Sequence, residues 1–176
     1  FYDHSGIDFI ALTRAVVKRG ILGQKSAGGG STITQQLAKQ LYSATAKSTL
    51  ERLLQKPIEW VIAVKLERFY TKEEIITMYL NYFDFLHNAV GIKTAADVYF
   101  DKDPKNLTLT ESATLIGLCK NPSYFNPVRY PERCTDRRNV VLGQMLKAGY
   151  LTNEEYQKAH DEPLALNFHR VDHKDG

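Results

Sequence analysis

Three stretches of this 176-residue chain carry the same short signature: Thr32-x-x-Gln35, Thr71-Lys72-Glu73-Glu74 and Thr152-Asn153-Glu154-Glu155. Each places a hydroxyl three residues ahead of a Glu or Gln, the reciprocal capping box that starts a helix. Downstream of each, apolar residues recur at helical spacing. The same reading along the chain predicts helices over 8–18, 32–42, 57–69, 71–80, 89–99, 110–118, 131–146 and 152–160. Pro57 falls in a first turn, where a missing N–H is harmless, and Thr108 or Thr110 caps the helix that follows it. Residues 43–49 read as a polar loop and 101–106 as a turn. Residues 121–131 hold three prolines and two asparagines and read as an irregular loop. No stretch alternates as a strand and no internal repeat is present, so the expected fold class is all-α. The length suits one domain with a sizeable core. The expected domain spans 1–162, with 163–176 a polar tail that frays or leads on as a linker.

Charge excludes one broad class. The formal net charge is +3, too small to argue for nucleic acid, and no nucleic-acid motif or long basic run is present. A mildly basic chain remains compatible with an anionic substrate or a lipid surface. No apolar stretch reaches the roughly 18 residues of a membrane span, and no signal peptide is visible. The chain opens on Phe1 in what reads as the middle of a motif, so it is expected to be a piece of a longer protein. Cys119 and Cys134 are the only cysteines. They permit a disulfide, but two buried free thiols is the preferred reading, since spacing alone cannot establish pairing.

Chemistry concentrates in Gly28-Gly29-Gly30-Ser31-Thr32-Ile33-Thr34-Gln35-Gln36-Leu37-Ala38-Lys39-Gln40-Leu41. Three glycines let a backbone approach a ligand closely. The helix start behind them offers unpaired N–H groups and a positive dipole end, suited to a phosphate. Ser31, Gln35 and Lys39 recur at i, i+4, i+8 on one face, while Ile33, Leu37 and Leu41 form another that packs inward. The plainer reading is a capped surface helix after a flexible loop. A second candidate is Glu59, within the apolar run Pro57-Ile58-Glu59-Trp60-Val61-Ile62-Ala63-Val64. Its helical neighbours are Ile62, Ala63 and Leu66, so the carboxylate is either buried or lines a cleft. A functional group and a structural ion pair, with Lys56 one turn earlier as the partner, both fit.

The string GGGSTITQQLAKQL closely resembles the second motif of the family 51 glycosyltransferases, the peptidoglycan polymerase domains of class A penicillin-binding proteins and monofunctional transglycosylases. The resemblance continues. Gln55-Lys56-Pro57-Ile58-Glu59 is similar to the third motif, Arg-Lys-x-x-Glu, with Gln55 in place of the arginine. Lys72, Ile75, Tyr79, Leu80 and Asn81 match the fourth, with Thr77 where a glutamate is usual. Gly91 to Phe100 resembles the fifth. Phe1, His4 and Gly6 match the second half of the first motif, Glu-Asp-x-x-Phe-x-x-His-x-Gly, as structural residues. The principal catalytic glutamate would stand four residues before Phe1. The resemblance covers about 1–162.

This resemblance implies a lysozyme-like helical domain with a smaller, membrane-proximal lobe that polymerises lipid II into glycan strands and releases undecaprenyl pyrophosphate. It implies Glu59 as the second active-site carboxylate. Ser31, Thr32, Gln35, Gln36, Lys39 and Lys56 become substrate-binding candidates, with Lys47 or Arg52 supplying a basic residue of the intervening loop. A divalent cation such as Mg near Glu59 is the one cofactor considered. Expected partners are lipid II, the growing glycan chain, a membrane surface touched by Ile7, Phe9, Ile10, Leu12, Ile21 and Leu22, and moenomycin-type inhibitors. The expected location is the extracytoplasmic face of a bacterial cytoplasmic membrane, anchored by a segment not in this chain. With the motif-one glutamate missing, this stretch alone is expected to be inactive. Two rival readings are a lysozyme-like peptidoglycan hydrolase, which needs two spaced carboxylates but no pyrophosphate site, and a non-catalytic glycan- or lipid-binding module.

Overall fold

The computed structural model describes residues 37–39, 41 and 55–170. Residues 37–39 and 41 are helical, and residues 55–170 form six α-helices: α1 (Gln55–Phe69), α2 (Lys72–Tyr82), α3 (Ile92–Phe100), α4 (Leu109–Leu118), α5 (Pro131–Lys147) and α6 (Asn153–Asp161). A 3-10 turn, Pro104–Asn106, joins α3 to α4. Among the described residues no strand forms, and the only extended pairing is an isolated bridge between Asp84 and Val90. The all-α class is as expected.

The capping boxes at Thr71 and Thr152 are built as the sequence predicts, and the one expected at Thr32 lies outside the described residues. The Glu74 amide donates to Thr71 Oγ1 at 3.2 Å, and the Thr71 amide to Glu74 Oε1 at 3.1 Å. Thr152 and Glu155 repeat the exchange at 3.2 Å in both directions. Thr108 rather than Thr110 caps α4, with Glu111 closing a further box. Thr110 instead donates to Glu162 Oε2 at 2.9 Å. Helix α1 begins two residues before the expected start, with Pro57 still inside its first turn.

Helix α3 begins at Ile92 rather than at 89. The preceding segment closes on itself: the Gly91 amide donates to the Phe83 carbonyl at 2.8 Å and the Phe85 amide to the Ala89 carbonyl at 2.9 Å. Leu86, His87 and Asn88 turn the chain there with φ of 69°, 52° and 64°, a left-handed run unusual for residues other than glycine. Gly91 is required where it stands. Its φ is +88°, and a Cβ would lie 2.6 Å from the Asn81 carbonyl oxygen.

The core is centred on the packing of α4 against α5. Eight residues of α4 are buried, and α5 contributes Val141, Leu142 and Met145. Helix α3 faces this pair with Ile92, Ala95, Ala96, Val98, Tyr99 and Phe100. Gly117 admits α5 closely, since a Cβ there would lie 3.0 Å from Arg137 Cγ. Arg138 is almost wholly buried. Its Nη2 donates to the carbonyls of Glu162 at 2.7 Å and His160 at 3.3 Å, satisfying backbone groups that the end of α6 leaves unpaired.

The tail differs from expectation. Residues 163–170, expected to fray, lie along the helical body. Leu164, Leu166 and Phe168 alternate in extended spacing and pack against the core. The Asn167 amide donates to the Tyr99 carbonyl at 2.9 Å and the His169 amide to the Val98 carbonyl at 3.0 Å, so the tail completes the end of α3. Phe168 meets the His87 ring edge-on at 4.9 Å. Residues 171–176 lie outside the described residues.

Candidate active site

Helix α1 carries Glu59. Leu66 and Ala63 turn toward the core, Ile62 packs against it, and Glu59 lies beside them, half-buried. On the opposite side Trp60 is 64% exposed, and Val61 and Val64 are each 45% exposed. Glu59 thus stands at the edge between core and surface, where a carboxylate keeps access to a ligand and is oriented by a packed helix. It is not enclosed in the apolar interior, the first of the two placements its sequence neighbourhood allowed. Lys56 is the second residue of α1, one turn before Glu59 in the same helix.

The described part of the preceding segment follows the expected division of faces. Leu37 and Ala38 are wholly buried and Leu41 packs against the core, while Lys39 is exposed. The remaining substrate-binding candidates, Ser31, Thr32, Gln35, Gln36, Lys47 and Arg52, lie outside the described residues. So do Phe1, His4 and Gly6 and the apolar residues expected to meet a membrane, and the Lys56 side chain is likewise outside.

The other motif positions are mostly core. Ile75, Tyr79 and Leu80 of α2 are buried, as are Ala95, Ala96, Tyr99 and Phe100 of α3, while Asn81 is exposed. Burial, with the Cys119 sulfur beside it, raises the Tyr79 hydroxyl far above its ordinary range. Burial also raises the Tyr99 hydroxyl, which donates to the Phe85 carbonyl. The cysteines are buried free thiols. Burial pushes each up to about 12, against the opposing pull of Arg137 on Cys119 and of Arg138 on Cys134. Such thiols stay protonated and unreactive at neutral pH. Burial lowers both arginines from their usual value.

Sequence reasoning passed over one polar gathering. Among the described residues, Asp97, Asp101 and His169 bring ligand atoms within 4.8 Å of one another, all exposed. His169 Nε2 lies 3.4 Å from Asp97 Oδ2, a direct contact that brings these two of the three together. Glu59 belongs to no such group among the described residues, and a metal held by it would draw its other ligands from elsewhere. None of the described helices is long and apolar enough to cross a membrane.

Comparison with known proteins defines the class. A profile described as Transglycosylase matches residues 1–146, and the chain belongs to this family. Penicillin-binding protein 1A of Aquifex aeolicus is 43% identical over 166 residues, which are 94% of this chain and 22% of that protein. Penicillin-binding protein 1F of Bacillus subtilis is 41% identical over 167 residues, 95% of this chain and 23% of that protein. The 2.6 Å crystal structure of penicillin-binding protein 1A from Haemophilus influenzae is similar with a TM-score of 0.50 and 32% identity, over 77% of this chain and 17% of that one. The chain therefore spans about a fifth of the length of these relatives.

Proposed function

We propose that this chain is the glycan-polymerising part of a peptidoglycan synthase, using lipid II as substrate and releasing undecaprenyl pyrophosphate. The observation that carries the reading is the transglycosylase match over 1–146, within which Glu59 sits on the surface-facing edge of a packed helix. The reaction makes two demands. A base must take the proton from the acceptor sugar's 4-hydroxyl as that oxygen attacks the anomeric carbon of the growing chain. Cations and N–H donors must hold the pyrophosphate as it leaves.

Ser31, Thr32, Gln35, Gln36, Lys39 and Lys56 fit the second demand, with Lys47 or Arg52 adding charge. The helix start behind Gly28-Gly29-Gly30 would present its amides to the phosphates. Glu59 would orient the cationic lining or share in holding a divalent ion such as Mg, whose chemistry would be to neutralise the leaving pyrophosphate. The base is the glutamate expected four residues before Phe1, so residues 1–176 alone bind donor lipid, or a moenomycin-type inhibitor in its place, without polymerising it. The proposed setting is the outer face of a bacterial cytoplasmic membrane.

A gel assay of glycan chains from lipid II tests this, comparing residues 1–176 with a protein restored upstream of Phe1. The restored protein should polymerise at least about a hundredfold faster, the usual lower bound for a general base. Equal rates would place the base within this chain and overturn the assignment of the first motif. Release of soluble sugar from finished peptidoglycan, without any lipid-linked donor, would favour a hydrolase instead.

A further inference from the structure

The loop between α4 and α5 and the first turns of α5 carry an alternating ladder of cations and rings. The Arg137 guanidinium lies 5.9 Å from the Phe125 ring. Phe125 meets Tyr124 edge-on at 4.9 Å. Arg133 lies 4.4 Å from the Tyr124 ring and 4.2 Å from the Tyr130 ring, and Arg129 lies 5.4 Å from Tyr130. One end is anchored, since Arg137 is buried and its Nε donates to the Gly117 carbonyl at 3.4 Å. The other end is open: Arg129, Arg133 and Tyr124 are exposed and Tyr130 is half-buried.

Among the described residues, the Arg133 and Arg129 side chains lie against rings and form no ion pair with a carboxylate, although both lie close to the same Tyr130 ring. Residues 120–138 hold five basic and two acidic side chains; Arg137 and Arg138 are buried, so Lys120, Arg129 and Arg133 face solvent beside Glu132 and Asp136. Two rings hold the guanidinium of the exposed Arg133 side chain. The fork is therefore fixed before any partner arrives, and a fixed fork matches a carboxylate in bidentate fashion at a small entropic cost.

We propose that this ladder is a docking surface for the glycan strand that the protein makes, gripping sugar rings on Tyr124 and strand carboxylates on Arg133 and Arg129. Exposed tyrosine faces suit pyranose rings, and the free carboxylates of the stem peptides supply the anions. An anionic bilayer suits the surface less well. Glu132 and Asp136 lie exposed beside it, and Val128, 43% exposed, is its one exposed aliphatic residue, so little apolar area could enter a membrane. The inference rests on the proposed substrate.

The test uses the full-length protein and soluble, uncrosslinked glycan strands carrying stem peptides, alongside the same strands with their carboxylates methyl-esterified. Arg133→Gln should weaken binding of the native strand by tenfold or more, Arg133→Lys should weaken it less, and Tyr124→Ala should also weaken it. Esterified strands should bind the wild type as weakly as native strands bind Arg133→Gln. These side chains are at the surface, so melting temperatures and the initial polymerisation rate should stay unchanged. Unaltered strand binding by Arg133→Gln, or equal binding of esterified strands, overturns the proposal. So does loss of binding to phosphatidylglycerol vesicles with strand binding intact. A protein that fails to polymerise lipid II, yet binds strands through Arg133, refutes the proposed function and leaves this inference standing. Polymerisation with Arg133-independent strand binding does the reverse.

Discussion

Helices α4 and α1 divide the labour of the fold unequally. Eight of the ten residues of α4 are buried. In α1, fifteen residues long, Ala63 and Leu66 are the described side chains that are buried, while Trp60, Val61, Val64 and Phe69 are exposed. The element that carries the candidate carboxylate is thus the one that contributes less to the core. A helix whose stability comes mainly from packing and which packs on a narrow stripe leaves its other faces for ligand or partner. A helix buried on nearly all sides has no such freedom.

The sharpest way to break this comparison is a matched pair of truncations. Leu115→Ala in α4 removes a wholly buried side chain and should cost about 2–5 kcal/mol in a urea melt. Val64→Ala in α1 removes one that is 45% exposed and should cost well under about 1 kcal/mol. Comparable costs would show that α1 is as much a part of the core as α4.

Alkaline titration gives a smaller effect confined to the dense region. Both thiols have folded values near 12 against 9.0 for the free group. Above about pH 9 the unfolded chain releases thiol protons that the folded one retains, so unfolding is favoured as pH rises. The stabilisation is complete below pH 9 and lost progressively between pH 9 and 12. Unfolding midpoints should fall across that window, and less steeply in a Cys119→Ala, Cys134→Ala protein. Thiol reagents should leave both sulfurs unmodified at pH 7. The smallest expected effect lies at the end of α3. Asp101 is exposed, with φ 52° at a left-handed C-cap, where glycine carries no Cβ penalty and a carboxylate opposes the helix dipole. Asp101→Gly should raise the melting temperature slightly, by about 0.5–1 kcal/mol of stability.

The sequence made the helices legible because their starts are written in local chemistry. Thr71 with Glu74 and Thr152 with Glu155 needed no tertiary information. At α4 both Thr108 and Thr110 precede helical residues, and what separates them is Glu162, distant in sequence, which accepts from Thr110. The start of α3 is hidden from local rules because Leu86, His87 and Asn88 hold a left-handed turn without glycine. The tail looked polar, yet Leu164, Leu166 and Phe168 carried a period of two that only a waiting helix end could turn into packing. In the site, the inward face of Leu37 and Leu41 and the outward Lys39 followed from helical spacing. The half-buried position of Glu59 depended on which side of α1 the core occupies, which its apolar run did not distinguish. The Arg133 ladder was illegible because it is made by a loop, where no periodicity brings rings and cations together.

The central claim is that α1 serves chemistry through Glu59 while α4 and α5 serve the fold. Glu59→Gln, made in a protein restored upstream of Phe1, tests it by measuring lipid II polymerisation and thermal melting on the same sample. The account predicts a rate lower by about tenfold or more, which is about 1.4 kcal/mol of barrier, with a melting temperature within a degree or two of the parent. A lowered melting temperature with near-normal polymerisation would contradict it, making Glu59 a structural residue.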